Sequence, residues 1–340
     1  VRRVTILGAG SWGTALATLL GRVERVTLWA RDTDLVTAIR SERENRRYLP
    51  GIPLAQNLAF TDHLPDALTG AECVVFAIPS AGMREVASAS APFLPPDALL
   101  VNASKGLEES SGLRMSEVIA QSLAPICTPS SSPSRRIAAL SGPNLALEVA
   151  RGIPTASVAA SVSAETARAC QQLWMGPTFR VYASSDLIGV ELAGAMKNVI
   201  AIGAGVCEGM GFGDNSRAAL MTRGLAEISR LGSTLGAQPA TFLGLAGVGD
   251  LIATGGSRLS RNYRVGLGLG QGRALESILQ EIGQVAEGVP TTRAICLLSR
   301  RVGVEMPVSE ALHAALFEGA SIRDLLPQLM LRPPRREDEL

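Results

Sequence analysis

The first twenty residues constrain the fold more than any other stretch. Val4-Thr5-Ile6-Leu7 is short, apolar and β-branched, Gly8-Ala9-Gly10-Ser11-Trp12-Gly13 follows at once, and Thr14 to Leu20 has a helical pattern. A GxGxxG run set between a strand and a helix is the turn on which α/β sheets seat a dinucleotide pyrophosphate. Gly8 permits the tight turn, Gly10 lets backbone approach the phosphates, and Gly13 lets helix and strand pack closely. The helix start adds amides and a partial positive charge. Away from a strand and a helix, the same spacing would be an ordinary glycine-rich turn.

More strands follow. Arg25 to Ala30, Cys73 to Ile78, Ala98 to Val101, Ile137 to Leu140 and Thr155 to Ala160 read as strands. Met83 to Ala89, Leu113 to Leu123 and Ala164 to Trp174 read as helices between them. Apolar strands alternating with helices predict a mostly parallel sheet covered on both faces. After Asp186 the strand pattern stops. Residues 187–206, 216–235, 239–246, 263–269, 274–282, 291–302 and 308–317 read as helical. The expected organisation is an α/β, Rossmann-like dinucleotide-binding domain over residues 1–184 and an all-helical substrate and catalytic domain over 185–340. At 340 residues the chain has room for both. The Ser/Pro-rich stretch 127–135 predicts a disordered surface loop, and the charged tail 332–340 a frayed end.

Charge narrows the function. Thirty-two Lys and Arg against 31 Asp and Glu leave a net charge of +1, so no basic footprint for nucleic acid is expected. The most apolar stretch, Leu187 to Val206, carries Glu191 and Lys197, which argues against a membrane span. The sequence begins Val1-Arg2-Arg3 and enters a strand at once, so no secretory leader is expected. Five scattered cysteines without a CxxC pair point to free thiols in a reducing, cytoplasmic compartment. Two histidines make a His-based metal site improbable.

The ends of the strands carry the chemistry, because ligands of open α/β sheets bind there. Strand two ends Leu28-Trp29-Ala30-Arg31-Asp32. Arg31 lies where an arginine would accommodate the 2′-phosphate of NADP, which predicts NADPH as the preferred cofactor with NAD also admitted. The competing reading leaves Arg31 exposed and makes Asp32 the cap of the next helix. Later strands end at Ile78-Pro79-Ser80, Asn102-Ala103-Ser104-Lys105-Gly106 and Ser141-Gly142-Pro143-Asn144. Lys105 suits a phosphate or a carbonyl oxygen. Gly142 and Asn144 offer backbone approach and an amide.

Lys197 is the most unusual residue. Its helical neighbours Val190, Ala193, Gly194, Ile200, Ala201 and Ala204 are all apolar or small, so it lies on a face that should be buried. A buried lysine needs a partner, and burial lowers its pKa towards the range of proton transfer. Otherwise it would snorkel past the small residues to water. Asp250, after the Gly247-Val248-Gly249 turn, is the candidate counter-ion, with a helix cap as its competing role. Thr254-Gly255-Gly256-Ser257-Arg258-Leu259-Ser260-Arg261-Asn262 reads as a loop able to hold a phosphate, or as a polar loop in which Ser260 caps the next helix. Gly283-Gln284-Val285-Ala286-Glu287-Gly288 is a segment that could close over the cofactor.

Taken in order, these segments resemble the bacterial NAD(P)-dependent glycerol-3-phosphate dehydrogenase family. The resemblance runs from about Arg3 to Gly319. It is carried by GAGSWGTALA (8–17), RYLPG (47–51), SKGLE (104–108), SGPNLALEVARGIPTA (141–156), GVELAGAMKNVIAIGAG (189–205), NSRAALMTRGLAEISRLG (215–232), TFLGLAGVGDL (241–251), SRN (260–262) and GQVAEG (283–288). It implies a Rossmann-like and a helical domain, and reversible NAD(P)H-dependent reduction of dihydroxyacetone phosphate to sn-glycerol 3-phosphate, which feeds glycerophospholipid synthesis.

The resemblance also implies residue roles. Lys197 would be the acid/base group, with Lys105 and Asp250 completing the catalytic set, and Lys105 would touch substrate and cofactor. Gly142, Asn144, Asp250, Ser260, Arg261 and Asn262 would line the substrate site. Gly8, Gly10, Ser11, Trp12, Gly13, Arg31, Lys105, Ala146, Arg261, Val285 and Glu287 would meet the cofactor. Asn144 and Leu145 stand where small hydroxyl and Phe residues are common, Gly255 stands where Cys is usual, and the 127–135 loop looks inserted. A homodimer is compatible with the helical domain. The alternatives are a related reductase of a carboxylate substrate, of the β-hydroxyacid dehydrogenase or ketopantoate reductase type, and a non-catalytic redox sensor.

Overall fold

The structure, a computed structural model, describes residues 2–21, 24–124, 136–334 and 336. The expected loop 127–135 therefore lies outside the described residues, as do 335 and 337–340 of the tail. The chain divides into two compact units, Val1–Ser104 with Met115–Leu187, and Lys105–Arg114 with Ile188–Leu340.

The first unit is built on a sheet. Its strands are β1 (Arg3–Leu7), β2 (Arg25–Trp29), β3 (Ala59–Thr61), β4 (Cys73–Phe76), β5 (Leu99–Asn102), β6 (Ile137–Ser141), β7 (Thr155–Ala160) and β8 (Phe179–Ser184). They lie in the order β3-β2-β1-β4-β5-β6-β7-β8, and only the β6–β7 pairing is antiparallel. The first six follow the Rossmann order, which reverses direction at β1. In register, Leu7 lies beside Trp29 on one side and Phe76 on the other, so β1, β2 and β4 end level with one another. The helices are α1 (Ser11–Leu20), α2 (Thr33–Glu42), α3 (Leu64–Leu68), α4 (Met83–Ser90), α5 (Met115–Leu123), α6 (Ala146–Ala150) and α7 (Ala164–Trp174). Ile6, Leu16, Leu28, Val75, Val101 and Leu140 are among the residues of its main buried core.

Sequence reading passed over two strands. β3 is three residues long, too short to show a period. β8 alternates between buried Phe179 and Val181 and exposed Arg180 and Tyr182, and its pairing with β7 makes it an outer strand.

The second unit is helical: α8 (Leu187–Gly209), α9 (Asp214–Thr234), α10 (Pro239–Phe242), α11 (Asp250–Gly255), α12 (Arg261–Gly270), α13 (Leu275–Ile282), α14 (Gly288–Val302), α15 (Pro307–Phe317) and α16 (Ile322–Met330). Among the described residues, α8 alone is long and apolar enough to cross a membrane, but 94% of its apolar window is buried inside the protein. Its glycines explain how it packs. A Cβ at Gly205 would stand 2.1 Å from the Tyr263 carbonyl oxygen, and one at Gly266 would stand 1.8 Å from that of Ile202. α8 and α12 thus meet backbone to backbone, far closer than helices with ordinary side chains between them.

The stretch 105–114, read from sequence as part of the sheet domain, belongs instead with the helices. Arg301 and Arg293 of α14 hold it, through the Ser111 carbonyl at 2.7 Å and Glu109 at 2.9 Å. Its own Arg114 pairs with buried Glu191 of α8 at 2.8 Å. These contacts are non-local, and no local pattern announces them.

Candidate active site

In the sheet unit the glycine loop leaves β1 and enters α1. Gly8 has φ +113, and a Cβ there would lie 2.4 Å from the Ala77 carbonyl oxygen. A Cβ on Gly13 would lie 1.9 Å from the Gly8 oxygen, so helix and turn touch directly. Nothing stands within 4 Å of a Cβ at Gly10, which leaves room for a ligand to reach the backbone. α1 has no side-chain cap and no acidic residue in its first turn, so nothing local offsets its positive end. These features fit a dinucleotide pyrophosphate.

The loop is braced by its neighbours. Ser11 Oγ donates to the Tyr48 carbonyl at 2.7 Å, Asn45 Nδ2 donates to that of Ala9 at 2.8 Å, and Trp12 Nε1 donates to that of Ala103 at 3.1 Å. Trp12 and Ala146 pack against the small cluster of Ala15, Leu49, Ile52 and Ala150.

At the end of β2, Asp32 caps α2. Its Oδ1 accepts the Leu35 amide at 3.0 Å, and Arg47 reaches its Oδ2 at 2.8 Å. The cap hydrogen bond to Leu35 and the Arg47 guanidinium hold its carboxyl below the usual range. Asp32 therefore takes the capping role weighed above. Arg31 is exposed and pairs with Glu85 of α4 at 3.2 Å.

Beyond β6, Gly142 has φ +152, and a Cβ there would press on Ser157 Cα at 3.0 Å. Asn144 Nδ2 donates to Ser157 Oγ at 3.1 Å, while its Oδ1 is buried without a hydrogen-bond partner among the described residues. An acceptor so placed suits a hydroxyl donor.

The helical unit holds a compact charged cluster. Lys197, in the middle of α8, is buried, and its Nζ donates to Thr254 Oγ1 at 2.6 Å and pairs with Asp250 Oδ1 at 3.1 Å. The Thr254 hydroxyl in turn donates to Asp250 Oδ1 at 3.1 Å. Lys105 donates to the other oxygen, Oδ2, at 2.6 Å. Asp250 thus holds two ammonium groups, and the trio carries one net positive charge.

Asp250 is the first residue of α11. A π-helical turn, Leu245–Gly249, delivers it, and Gly247 lies there against the Phe242 backbone, where a Cβ would be 2.0 Å from the carbonyl oxygen. Such turns recur at functional sites. Burial lowers the Lys197 pKa to about 8; Asp250 opposes the fall, while Lys105 and Arg261 add to it. An ammonium of that pKa can give and regain a proton near neutral pH.

Sequence reading missed Thr254 as a partner of the lysine and placed it in a loop. It lies on α11, one turn after Asp250, and that i, i+4 spacing is the signal that could have found it. Ser260 is the N-cap of α12, accepting the Tyr263 amide at 3.2 Å. Asn262 turns inward: Nδ2 donates to Asn198 Oδ1 at 2.8 Å and Oδ1 accepts the Gly288 amide at 2.9 Å. Arg261, first in α12, has its pKa lowered by burial, with Glu287 opposing. Val285 is exposed and Glu287 stands at the start of α14. The structure therefore brings together Lys105, Lys197 and Asp250, and places Arg261 near Glu287. Ser260 caps α12, and Asn262 ties α12 to Asn198 of α8 and to the Gly288 amide.

The strand order and the loop at its reversal place the chain among the proteins that carry a Rossmann-type dinucleotide-binding unit, here followed in sequence by a helical one. Comparison with known proteins narrows this. Residues 3–167 match the model of the NAD-dependent glycerol-3-phosphate dehydrogenase N-terminus, and residues 186–327 that of its C-terminus. The glycerol-3-phosphate dehydrogenase [NAD(P)+] of Pelotomaculum thermopropionicum is 49% identical over 99% of this chain and 95% of its own length. That of Citrifermentans bemidjiense is 48% identical over 98% of each. Among solved structures, glycerol-3-phosphate dehydrogenase from Coxiella burnetii superposes with a TM-score of 0.91 at 37% identity, covering 97% of this chain and 99% of its own. The chain belongs to the NAD-dependent glycerol-3-phosphate dehydrogenase family.

Proposed function

We propose that this chain reduces dihydroxyacetone phosphate reversibly to sn-glycerol 3-phosphate with NADPH or NADH, supplying the backbone of glycerophospholipids. The observation that carries the residue-level reading is the Lys197–Asp250–Lys105 trio, one buried aspartate between a buried and a half-buried lysine. Its net positive charge suits a phosphorylated substrate. The lowered pKa of Lys197 suits an acid that must also act as a base.

In this reading a bound reduced nicotinamide supplies the hydride to C2 of the ketone. Lys197 as ammonium polarises the C2 oxygen and gives it a proton, and in the reverse direction neutral Lys197 takes the proton back. Asp250 and Thr254 fix the Nζ position, so the proton is delivered from a preset point. Lys105 and Arg261 bind the anionic part of the substrate, and that remote binding orients the reacting carbon. Asn144 Oδ1 accepts a substrate hydroxyl. On the sheet unit, the residue 8–13 loop with Trp12 and Ala146 seats the pyrophosphate, and Arg31 meets the 2′-phosphate of NADPH. Val285 and Glu287 are further cofactor residues of this reading. The same reading takes the enzyme as cytoplasmic and without a nucleic-acid partner; the four buried free thiols and the near-zero net charge support it.

The test is the loss of reduced-nicotinamide absorbance on adding dihydroxyacetone phosphate, run with NADPH and with NADH. Rapid oxidation is expected with both, faster with NADPH. Folded protein that oxidises neither, yet reduces a keto acid, would move the assignment to a carboxylate-substrate reductase.

A further inference from the structure

Two arginine–carboxylate pairs stand at the end of β2. Arg31 Nη1 lies 3.2 and 3.3 Å from the two carboxylate oxygens of Glu85, which projects from the first turn of α4. Arg47 lies 2.8 Å from Asp32, with its guanidinium 5.2 Å from the centre of the Tyr48 ring. The turn that carries Arg47 is fastened to the glycine loop through Ser11–Tyr48 and Asn45–Ala9. Both arginines therefore belong to the nucleotide end of the sheet unit. Asp32, the acidic residue of this region, is committed to the Leu35 amide and to Arg47.

We propose that Glu85 is a specificity-determining residue that sets the balance between NADPH and NADH by competing with the 2′-phosphate for Arg31. The inference rests on the reading of Arg31 given above and deepens it. The Arg31 and Glu85 side chains are 78% and 68% exposed, so their pair is weak and opens readily. A 2′-phosphate that takes Arg31 must still sit beside the Glu85 carboxylate and is repelled by it. NADH brings no charge to that place and leaves the pair intact. The chain thus keeps an arginine for NADPH while a carboxylate moderates its advantage, which accounts for a site that serves both nucleotides.

The experiment compares Glu85→Gln, Arg31→Ala and the double variant with the unaltered chain. The dissociation constants of NADPH and NADH are read from reduced-nicotinamide fluorescence, without substrate. Glu85→Gln should tighten NADPH by roughly three- to tenfold, the scale of one charge acting on a dianion through about 5–8 Å of water, and move NADH by less than about twofold. The gain should shrink as salt rises, and it should be smaller in the double variant, where the competition for Arg31 is gone and only the direct repulsion by Glu85 is relieved.

No change in NADPH binding, or equal changes for both nucleotides, would overturn the role of Glu85. If that happens while Arg31→Ala weakens NADPH alone, the reading of Arg31 stands and only this inference falls. If Arg31→Ala weakens both nucleotides equally, the reading of Arg31 falls, and the inference with it. Both side chains are surface groups, so the variants fold, and circular dichroism checks that they do.

Discussion

Lys197 holds a charge in the interior of a helical unit, and its surroundings explain how. Asp250 pairs with it, Thr254 Oγ1 accepts a hydrogen bond from it at 2.6 Å, and burial lowers its pKa to about 8. Lys197→Ala should lower turnover by roughly 10²–10⁴-fold, the range for a positioned acid–base group. Near-normal turnover by folded variant would remove Lys197 from the mechanism. The sign of the pH dependence follows from the lowered pKa. Ketone reduction needs the ammonium, so its kcat should fall as pH rises through about 8, while alcohol oxidation needs the amine and should rise through the same range. Profiles in both directions check this, and parallel profiles would contradict it. Arg31→Ala should raise the KM for NADPH by more than that for NADH, measured by initial rates; equal increases would remove the 2′-phosphate role.

At this scale the sequence was legible where a residue broke its own pattern. A lysine among Ala, Gly and Val on one helical face announces itself, and so does an aspartate after two glycines. Thr254 broke no pattern, and a hydroxyl in a Gly- and Ser-rich stretch reads as loop chemistry. Its bond to Lys197 spans 57 positions of sequence, and only folding creates it.

Helix α9 carries a second buried charge with a different task. Glu227, 2% exposed, accepts the amides of Val308 and Ser309 and the Ser309 hydroxyl at 2.6–3.2 Å, so it caps α15 from another helix. Burial raises its pKa from 4.5 to about 7 against the pull of those donors and of Arg230. A raised pKa means that the folded state holds the proton more tightly than the unfolded chain. Its contribution to stability is therefore fully present below about pH 4.5 and is lost as pH rises through about 7. The stability of the unaltered chain minus that of Glu227→Gln should fall between about pH 4.5 and about pH 7, measured by urea unfolding. A constant difference would show that Glu227 does not titrate in that window.

The α8–α12 contact depends on the absence of side chains. With only 1.8 Å between a Cβ at residue 266 and the Ile202 oxygen, Gly266→Ala must push the helices apart. Overpacking of this kind costs about 1–3 kcal/mol, which should appear as a lower urea midpoint. A midpoint equal to that of the unaltered chain would mean that the helices separate freely. From sequence, both helices were legible, because long apolar periodic segments are. Their partners were not, since a glycine in a helix shows only that something comes close, not what.

Across the whole molecule, Cys73, Cys170, Cys207 and Cys296 are buried in their units. Burial raises all four thiol pKa values, those of Cys170 and Cys296 to about 12. Reactive thiolate is thus scarce and shielded. Iodoacetamide followed by mass spectrometry should leave these four unmodified in the folded protein and modify them in urea. Rapid labelling of any of them under folding conditions would mean that its unit opens locally far more often than the packing suggests.

The sequence by itself determined the class of fold, the parallel sheet, the glycine loop and the helical second half. Each of these rests on short-range periodicity or on a turn that only certain residues can make. It also marked Lys197 and Asp250 as a pair. Tertiary structure alone decided that residues 105–114 join the helices, that Asp32 caps a helix and holds Arg47, that Ser260 caps α12 while Asn262 bonds Asn198 and the Gly288 amide, and that Glu85 faces Arg31. Each of these is a contact between groups distant in sequence or a choice between two roles that local sequence permits equally, and only the packed chain selects one.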